Sequence, residues 1–548
     1  MAAVTRVPVL VSLYAVVAVL ASAAFSTLAS AQLLKTDGGL VEGVRENGIV
    51  VFKGIPFAAP PVGALRWRAP KPPVPWLGVK SADRFSPICM QRGSYPENAP
   101  PEPMSEDCLY LNVWVPTDTV SEKLPVMLWI HGGGLVNGSA STPLYAGDAL
   151  ARRNVIVVTA NYRLGALGFL AHPALTRESE HKVSGNYGLL DQLAALGWVQ
   201  RNIGAFGGDR GNVTVFGQSS GSISISALIA SPLARGMFHR AIGQSGGLFE
   251  PLDVAPEFTL TGAERAGQGF VTRMGASSLQ DLRGRLASEI IAKPFGANPI
   301  IDGYVLPESP YQAYVERRHN DVALLIGSNT GEGLSFLANR TVTATTMTSE
   351  LGKDFPSFVV SLIGPKKPAN DREALASFVA FQGDMRFGWN MWAWARLHAR
   401  AGKHQVFLYQ FSHVPPHASG ASHGVEMSYV FDHLDLQSEP WTQYDRHLAD
   451  VMSAYWTNFA KSGDPNGVAL PSWPAFSSTH QDALLIGEEI SSGALANERE
   501  LVEIDRLYGT VRFVLRYGHV LAVIVTLTVL GLVWRIARRL FRRRMALT

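Results

Sequence analysis

Short apolar runs rich in β-branched residues recur along the chain, and stretches with a helical pattern separate them. Five of these runs predict buried strands, over residues 125–130, 154–160, 213–216, 322–326 and 405–411. The pattern over residues 189–201 predicts a helix between the second and third runs. Apolar strands that alternate with helices are typical of a sheet buried on both faces. We therefore expect an α/β fold with a mostly parallel central sheet covered by helices on both faces.

Residues 32–508 contain no repeat, low-complexity tract or linker, so we expect them to form a single large domain. Hydrophobic residues make up 47% of the chain and charged residues 17%, a composition that excludes a disordered protein. Residues 340–400 are helical in pattern and rich in aromatic side chains, and we expect them to be an insertion. These aromatic side chains either pack between helices or line part of a substrate cleft.

Basic residues are concentrated at the two ends of the chain. Residues 1–31 contain one arginine and no acidic residue, and residues 535–548 contain six arginines and no acidic residue. Removing these seven arginines from the 48 basic residues leaves 41 basic against 45 acidic side chains, so the formal net charge of +3 hides an acidic body. Because no basic stripe is left in the body, we expect no nucleic-acid partner.

The first 31 residues have the organisation of a secretory signal peptide. Arg6 precedes an apolar stretch over residues 9–20, and Ala29-Ser30-Ala31 has the small-residue form of a cleavage site. We expect export of the body and cleavage before Gln32. An uncleaved N-terminal anchor is the alternative, although the apolar stretch is short for a membrane span.

The C-terminal end has the pattern of a membrane anchor. After a short linker at 509–517, residues 518–534 contain one ionisable side chain, and the tail at 535–548 carries the six arginines. Positive charge collects on the cytoplasmic side of membrane spans. We therefore expect a transmembrane helix with a cytoplasmic tail and the body on the periplasmic or extracellular side. A glycolipid-anchor signal is disfavoured, since its apolar tail would end the chain.

A nucleophile motif follows the third predicted strand. Residues 217–221 read Gly-Gln-Ser-Ser-Gly, and residues 222–234 after them are able to form a helix. In this setting a G-x-S-x-G turn exposes the hydroxyl of Ser219 and aims the amide of Ser220 at a developing oxyanion. A second copy of the motif contains Ser245, but two glycines and Pro251 follow it and leave no helix start. We expect Ser245 to be a further hydroxyl near the site rather than the nucleophile.

Other predicted strands end in residues that a serine nucleophile needs. The strand at 125–130 leads into His131 and three glycines, whose backbone is able to present consecutive amides to an oxygen atom. The strand at 322–326 leads into a loop with Glu332. Serine, acid and histidine follow one another in this order in α/β enzymes with such a turn. Glu332 is therefore the expected acid.

The base is expected in the long loop after the strand at 405–411. This loop contains His413, His417 and His423, and His423 is followed three residues later by Glu426, the alternative acid. The imidazole has to reach the serine hydroxyl with one nitrogen and a carboxylate with the other. A polar surface loop and a metal site remain alternative readings of the three histidines.

The chain has two cysteines, Cys89 and Cys108. An exported protein with an even number of cysteines favours a single disulfide. Two unpaired buried thiols are the alternative, and a zinc site would need further ligands nearby.

With these residues in place, the chain resembles the type-B carboxylesterases, the cholinesterase-like branch of the α/β-hydrolases, over residues 33–508. Six further matches occur in the same order, at residues 52–58, 106–112, 161–163, 185–192, 206–209 and 302–303. The resemblance implies an α/β-hydrolase that cleaves a small-molecule carboxylic ester through an acyl-enzyme, without a metal or an organic cofactor. The alternatives are an amidase, a thioesterase, a lactonase or a non-catalytic adhesion protein.

The resemblance also assigns roles to individual residues. The implied catalytic triad consists of Ser219, Glu332 and His423. The implied oxyanion-hole amides belong to Gly133, Gly134 and Ser220. The family's first disulfide matches Cys89 and Cys108, and two of its ion pairs match Arg66 with Glu106 and Arg163 with Asp209.

Two departures from the family pattern bear on the substrate. Leu135 follows the glycine run where an aromatic residue is common, a change that reshapes the acyl side of the site. The loop between the cysteines contains Tyr95 but no tryptophan, which cholinesterases use to hold a quaternary ammonium group. A choline ester is therefore disfavoured as the natural substrate.

Overall fold

The computed structural model describes residues 32–93, 103–116, 123–416, 418–436 and 440–545. The predicted signal peptide at 1–31, part of the loop between the two cysteines, and His417 lie outside these residues.

A large mixed sheet runs through the molecule. The strands are β1 (Gln32–Lys35), β2 (Leu40–Glu46), β3 (Ile49–Pro56), β4 (Val79–Ser81), β5 (Ile88–Cys89), β6 (Met104–Ser105), β7 (Tyr110–Pro116), β8 (Leu124–Ile130), β9 (Ile156–Ala160), β10 (Gly208–Gln218), β11 (Arg240–Gln244), β12 (Ala323–Asn329), β13 (Val406–Phe411), β14 (Ala483–Ile486) and β15 (Ile490–Gly493). The order across the sheet is β1-β2-β3-β7-β9-β8-β10-β11-β12-β13-β14-β15, with β4 beside β2. Along this spatial order, each neighbouring pair of strands from β9 to β14 is parallel. Each neighbouring pair from β1 to β7 is antiparallel.

Most helices lie in the connections between these strands, and the last helix comes after β15 in the sequence. They are α1 (Asp148–Ala151), α2 (Gly165–Phe169), α3 (Pro173–Glu178), α4 (Tyr187–Asn202), α5 (Ser220–Ala230), α6 (Leu260–Arg273), α7 (Leu279–Gly284), α8 (Ala287–Ala292), α9 (Pro310–Val315), α10 (Met347–Leu351), α11 (Ser357–Ile363), α12 (Asp371–Gly383), α13 (Trp389–Ala401), α14 (Met427–Val430), α15 (Gln443–Ser462) and α16 (Glu498–Met545). A π-helix, Asp384–Gly388, joins α12 to α13.

Each face of the sheet has its own hydrophobic core. In β8, Val126 and Leu128 belong to one cluster, whereas Met127 and Trp129 belong to the other. Successive side chains of a strand point to opposite faces, so a strand that is apolar throughout is buried on both. Helices α4, α5 and α13 contribute to the first cluster, and α14 and α15 contribute to the second. The predicted α/β fold with helices on both faces is confirmed.

All five predicted strands are present, as β8, β9, β10, β12 and β13. The third is longer than predicted, because β10 begins at Gly208 instead of residue 213. Residues 340–400 are mainly helical, as predicted, and contain α10 to α12, the π-helix and most of α13.

The last helix, α16, runs without a break through the residues predicted as a linker, 509–517, and as a membrane span, 518–534. Its first turns pack on the body, where Leu501, Ile504 and Leu507 are buried in the first core. Farther along, the large apolar side chains described between Phe513 and Ile536 are exposed. The helix is long and apolar enough to cross a membrane, with a mean hydropathy of 2.3 in its most apolar window.

Cys89 and Cys108 form the predicted disulfide. Cys89 ends β5, and Cys108 lies shortly before β7. The bond therefore ties the small β5-β6 sheet to the segment that leads into β7, an interior strand of the large sheet.

One predicted ion pair is confirmed and the other is wrong. Arg66 pairs with Glu106 as expected. Arg163, however, donates from Nε and Nη2 to Asp191 at 2.7 Å each, and not to Asp209. The reason is packing, because α4 buries Asp191 against the loop after β9 that carries Arg163.

We predict that Asp191→Asn lowers the free energy of unfolding by about 3 kcal/mol, because it leaves the Arg163 guanidinium buried without its counter-charge. Urea unfolding followed by circular dichroism measures the change. The matched control is Asp209→Asn, since within the described residues the Asp209 carboxylate accepts a hydrogen bond only from the nearby Gly211 amide, at 2.8 Å. It should change stability by no more than about 0.5 kcal/mol. Equal effects of the two substitutions would contradict the assignment.

Candidate active site

Ser219 occupies the sharp turn between β10 and α5, with φ at +57°. The turn lies against the end of β8, and the two flanking glycines make this approach possible. A Cβ atom at Gly221 would lie 2.1 Å from the Ile130 carbonyl oxygen, and one at Gly217 would lie 2.7 Å from it. Larger residues at these two positions would push the strands apart. The G-x-S-x-G spacing is thus required by the packing of the turn.

Ser245 follows β11 in a similar backbone conformation, with φ at +53°, but no α-helix begins behind it before α6. Its side chain is fully buried, and its Oγ has no hydrogen-bond partner within the described ranges. It neighbours the first turn, because a Cβ atom at Gly246 would lie 2.3 Å from the carbonyl oxygen of Ser219. Ser245 therefore lies beside the turn without the exposure that Ser219 has.

Glu332 and His423 meet at the carboxyl end of the sheet. Glu332 begins the 3-10 helix Glu332–Phe336 shortly after β12, and its Oε2 lies 2.5 Å from His423 Nδ1. Its other oxygen accepts a 2.8 Å hydrogen bond from the Asn329 amide. The carboxylate is thereby held on both oxygens. A proton on Nδ1 of His423 suits this contact and leaves Nε2 as an acceptor.

The second nitrogen of His423 faces the nucleophile turn. Its Nε2 lies 3.2 Å from Nε2 of Gln218, the residue before Ser219. Among the residues that the structure describes, Ser219 Oγ and His423 form no direct hydrogen bond. Such bonds are often long or poorly aligned in enzymes without substrate.

Phe387 supports the imidazole from the π-helix. Its ring stacks on that of His423 with the centroids 4.5 Å apart and the planes at 25°. π-helical turns are rare and often occur at functional sites. One aromatic residue of the insertion thus contacts a predicted site residue. The sequence alone does not indicate which of the aromatic residues makes this contact.

A second carboxyl group, that of Glu426, is buried next to this pair. It accepts hydrogen bonds from Asn329 Nδ2 at 2.6 Å and from Gln244 Nε2 at 3.1 Å. Burial, together with the negative charge of Glu332, raises the pKa of Glu426 to about 7. Glu332, and not Glu426, makes the contact with His423 Nδ1.

The electrostatic surroundings favour a charged His423. Burial opposes the imidazolium, but the charge and hydrogen bond of Glu332 outweigh it, and Glu426 adds to them. Together they raise the pKa of His423 above its ordinary value of 6.5.

The glycine run after β8 lies beside the turn that carries Ser219. Gly133 and Gly134 adopt φ values of +103° and +62°, which are easily reached only without a side chain. A Cβ atom at Gly132 would lie 3.1 Å from Ser219 Cβ, so the run passes directly beside the serine. The Leu135 amide donates to Ser220 Oγ at 3.1 Å and ties the two segments together.

Gln91 holds the far end of this loop and was not predicted. Its Oε1 accepts from the Gly138 amide at 2.8 Å, and its Nε2 donates to the Gly138 carbonyl at 3.0 Å and the Cys89 carbonyl at 3.1 Å. The disulfide and the glycine loop are therefore mechanically linked. The sequence feature that could have pointed to Gln91 is its position two residues after Cys89. The residues around it do not indicate a partner 47 positions away.

His413 has a different partner from His423. Its Nε2 lies 2.7 Å from Asp445 Oδ1, which also accepts from the Tyr429 hydroxyl at 2.7 Å. His417 lies outside the described residues. Of the two described histidines of this loop, His423 is the one brought to Glu332.

Known proteins resemble this chain over most of its length. The model of the carboxylesterase family matches residues 30–502. The chain is 38% identical to the fumonisin B1 esterase of Sphingopyxis macrogoltabida over 484 residues, which cover 84% of this chain and 87% of that protein. It is 36% identical to the para-nitrobenzyl esterase of Bacillus subtilis over 505 residues, covering 87% and 98% respectively. A solved structure of a PNB esterase superposes with a TM-score of 0.76 and 33% identity, covering 86% of this chain and 99% of that one.

We predict that Glu426→Gln lowers the pKa of His423, because it removes a negative charge that stabilises the imidazolium while keeping a side chain of similar size. Histidine-selective NMR over a pH titration measures this pKa. Glu180→Gln, which removes an exposed carboxylate, is the control and should leave the titration of His423 unchanged. A pKa that does not fall in Glu426→Gln would mean that the charge of Glu426 does not reach the imidazole.

Proposed function

Since the chain belongs to the carboxylesterase family and is a carboxylic ester hydrolase, we propose that it cleaves esters through an acyl-enzyme formed on Ser219. The observation that carries this assignment is the 2.5 Å contact between Glu332 and His423, whose other ring nitrogen faces the turn that bears the serine. The three residues come from separate loops at the carboxyl ends of parallel strands, where α/β enzymes gather their reacting groups.

In the proposed acylation step, Ser219 Oγ attacks the ester carbonyl carbon while His423 Nε2 takes the hydroxyl proton. Glu332 holds the ring and stabilises the imidazolium. The amides of Gly133, Gly134 and Ser220 donate to the oxyanion that forms on the carbonyl oxygen. His423 then gives its proton to the leaving alcohol oxygen as the carbon-oxygen bond breaks.

In deacylation, water attacks the acyl-enzyme and passes a proton to His423. The same amides hold the second oxyanion until the bond to Ser219 Oγ breaks, His423 returns the proton to that oxygen, and the carboxylic acid leaves. No metal or organic cofactor takes part in this scheme.

The substrate is a small-molecule ester in this proposal, a class that includes the para-nitrobenzyl esters after which one relative is named. The fumonisin B1 esterase of Sphingopyxis is a second relative whose name specifies an ester substrate. A panel of short-chain and long-chain p-nitrophenyl esters, hydrolysed by the full chain in detergent, would define the acyl preference.

We further infer that the enzyme is exported and stays at the membrane. The signal peptide at 1–31 directs export of the domain at 32–508, residues 518–534 cross the bilayer, and the arginine tail remains in the cytoplasm. The exposed apolar side chains of α16 support the span. Because residues 509–517 continue the helix, the domain would lie close to the outer face of the membrane.

We predict that Ser219→Ala abolishes covalent labelling by a fluorophosphonate and lowers kcat by about a millionfold, as expected for loss of the nucleophile of a triad. Intact-mass spectrometry and hydrolysis of a p-nitrophenyl ester measure the two effects. Ser245→Ala is the matched control, since it removes the serine of the second motif, and it should still be labelled. Labelling that survives in Ser219→Ala and disappears in Ser245→Ala would reverse the assignment.

We predict that protease added to spheroplasts or right-side-out vesicles digests the body and leaves a protected fragment containing residues 518–548. Immunoblotting against a C-terminal tag detects this fragment. A body that is digested only after the membrane is broken would show the opposite orientation. Release of the intact protein by high salt alone would show that no segment crosses the bilayer.

A further inference from the structure

Three side chains able to bind a metal lie together near the amino end of β12, whereas Ser219 follows the carboxyl end of β10. His319 and Asp321 lie in the segment between α9 and β12, and His398 lies in the last turn of α13. One donor atom from each lies within 4.8 Å of the others. The proposed ester hydrolysis uses none of them.

The two histidines of the cluster are buried, Asp321 is half-buried, and all three side chains are short of hydrogen-bond partners. His398 is fully buried and His319 is 8% exposed. By strict hydrogen-bond geometry, neither ring nitrogen of His319 has a partner within the described part of the protein, and the same holds for His398 Nε2 and Asp321 Oδ1. The backbone of Ala313 near His319 and that of His404 near His398 make at most poorly aligned contacts with these rings. Buried polar groups normally have partners, because leaving them unpaired costs free energy. Four unpaired atoms on three adjacent side chains indicate a shared ligand.

The remaining atoms of these side chains are held by the protein. The Lys403 amide donates to Asp321 Oδ2 at 2.8 Å, which leaves Oδ1 for a ligand. His319 stacks on Tyr314, with the ring centroids 3.9 Å apart. The hydroxyl of Tyr314, which accepts from Trp394 Nε1 at 2.7 Å, lies 3.4 Å from His398 Nδ1. The tautomer of His398 with its proton on Nδ1 is the one that leaves Nε2 able to bind a metal. Metal-binding histidines are commonly oriented in this way through their second nitrogen.

Residue 402 keeps space next to the His398 nitrogen. A Cβ atom at Gly402 would lie 2.8 Å from Nε2 and 2.9 Å from Cε1 of the ring. The backbone φ of Gly402 is −79°, which any residue is able to adopt, so the glycine is not needed for the conformation of the chain. Its effect is to leave the approach to Nε2 free of a side chain.

We propose that His319, Asp321 and His398 bind one divalent transition-metal ion, with zinc as the best match. Two imidazoles and one carboxylate suit zinc, cobalt or nickel, whereas calcium and magnesium prefer oxygen ligands throughout. Ligands about 2.1 Å from a tetrahedral ion lie about 3.4 Å apart, so side-chain rotations that move donor atoms by about 1 Å close the site. Water completes the coordination shell.

The position of the cluster points to a structural role for the ion. β12 runs from the cluster at its amino end to the loop with Glu332 at its carboxyl end. Its seven residues span about 20 Å. At that distance the ion cannot touch the ester. It would instead link the start of β12 to the end of α13, the helix that follows the π-helix with Phe387.

The test uses the full chain in detergent, stripped of metal with a chelator and then titrated with zinc chloride in a calorimeter. We expect one equivalent of zinc to bind, and cobalt added in place of zinc to produce visible absorption bands. His398→Gln and Asp321→Asn each remove one ligand at nearly constant size. Each should weaken zinc binding by more than about 100-fold, because loss of an outer hydrogen-bond partner alone costs 10- to 100-fold.

The matched control is His480→Gln. His480 is an exposed histidine whose Nε2 lies 3.4 Å from Asp482 Oδ2, and its removal should leave zinc binding unchanged. Absence of zinc binding in the wild-type chain, or binding that survives in both ligand variants, would overturn the proposal. If circular dichroism shows that one variant does not fold, the other variant and the cobalt spectrum of the wild-type chain decide the outcome.

Discussion

The close approach of β8 to β10 is the constraint on which the proposed active site depends. Parallel pairing places Gly217 opposite Ile130, at the point where β8 ends and the glycine run begins. The absence of side chains at Gly217 and Gly221 lets the two backbones meet. The turn then holds Ser219 in a left-handed conformation, with the amides of residues 133 and 134 on the adjacent loop. The proposed nucleophile and the proposed oxyanion donors are thus positioned by one packing contact.

The proposed site also depends on buried carboxyl groups close to His423. Two buried carboxyl groups, those of Glu332 and Glu426, flank one imidazole whose side chain is 18% exposed. Asn329 bonds to both, through its backbone amide to Glu332 and through its side-chain amide to Glu426. One residue at the end of β12 therefore separates two like charges. Their combined field favours the protonated form of His423, which is the form that exists between the two proton transfers of the proposed reaction.

The C-terminal helix joins the body to the proposed membrane anchor without a flexible segment. The Arg512 guanidinium lies 3.5 Å from the ring centroid of Tyr311 and donates to the Phe249 carbonyl oxygen. Phe249 follows the segment with Ser245, so the base of α16 packs close to the framework of the site. A continuous helix fixed in this way would restrict how the body is oriented above a bilayer.

By itself, the sequence determined the features that depend on local chain properties. Apolar runs specified the strands, and the glycines around Ser219 and after His131 specified the two turns, because backbone freedom and side-chain burial are properties of short segments. Tertiary structure decided the contacts between distant segments. It paired Arg163 with Asp191, brought His423 rather than His413 to the carboxylate after β12, and gathered histidines 79 positions apart into one cluster. These contacts depend on how helices and loops pack on the sheet, and a residue's neighbours in sequence carry little information about that packing.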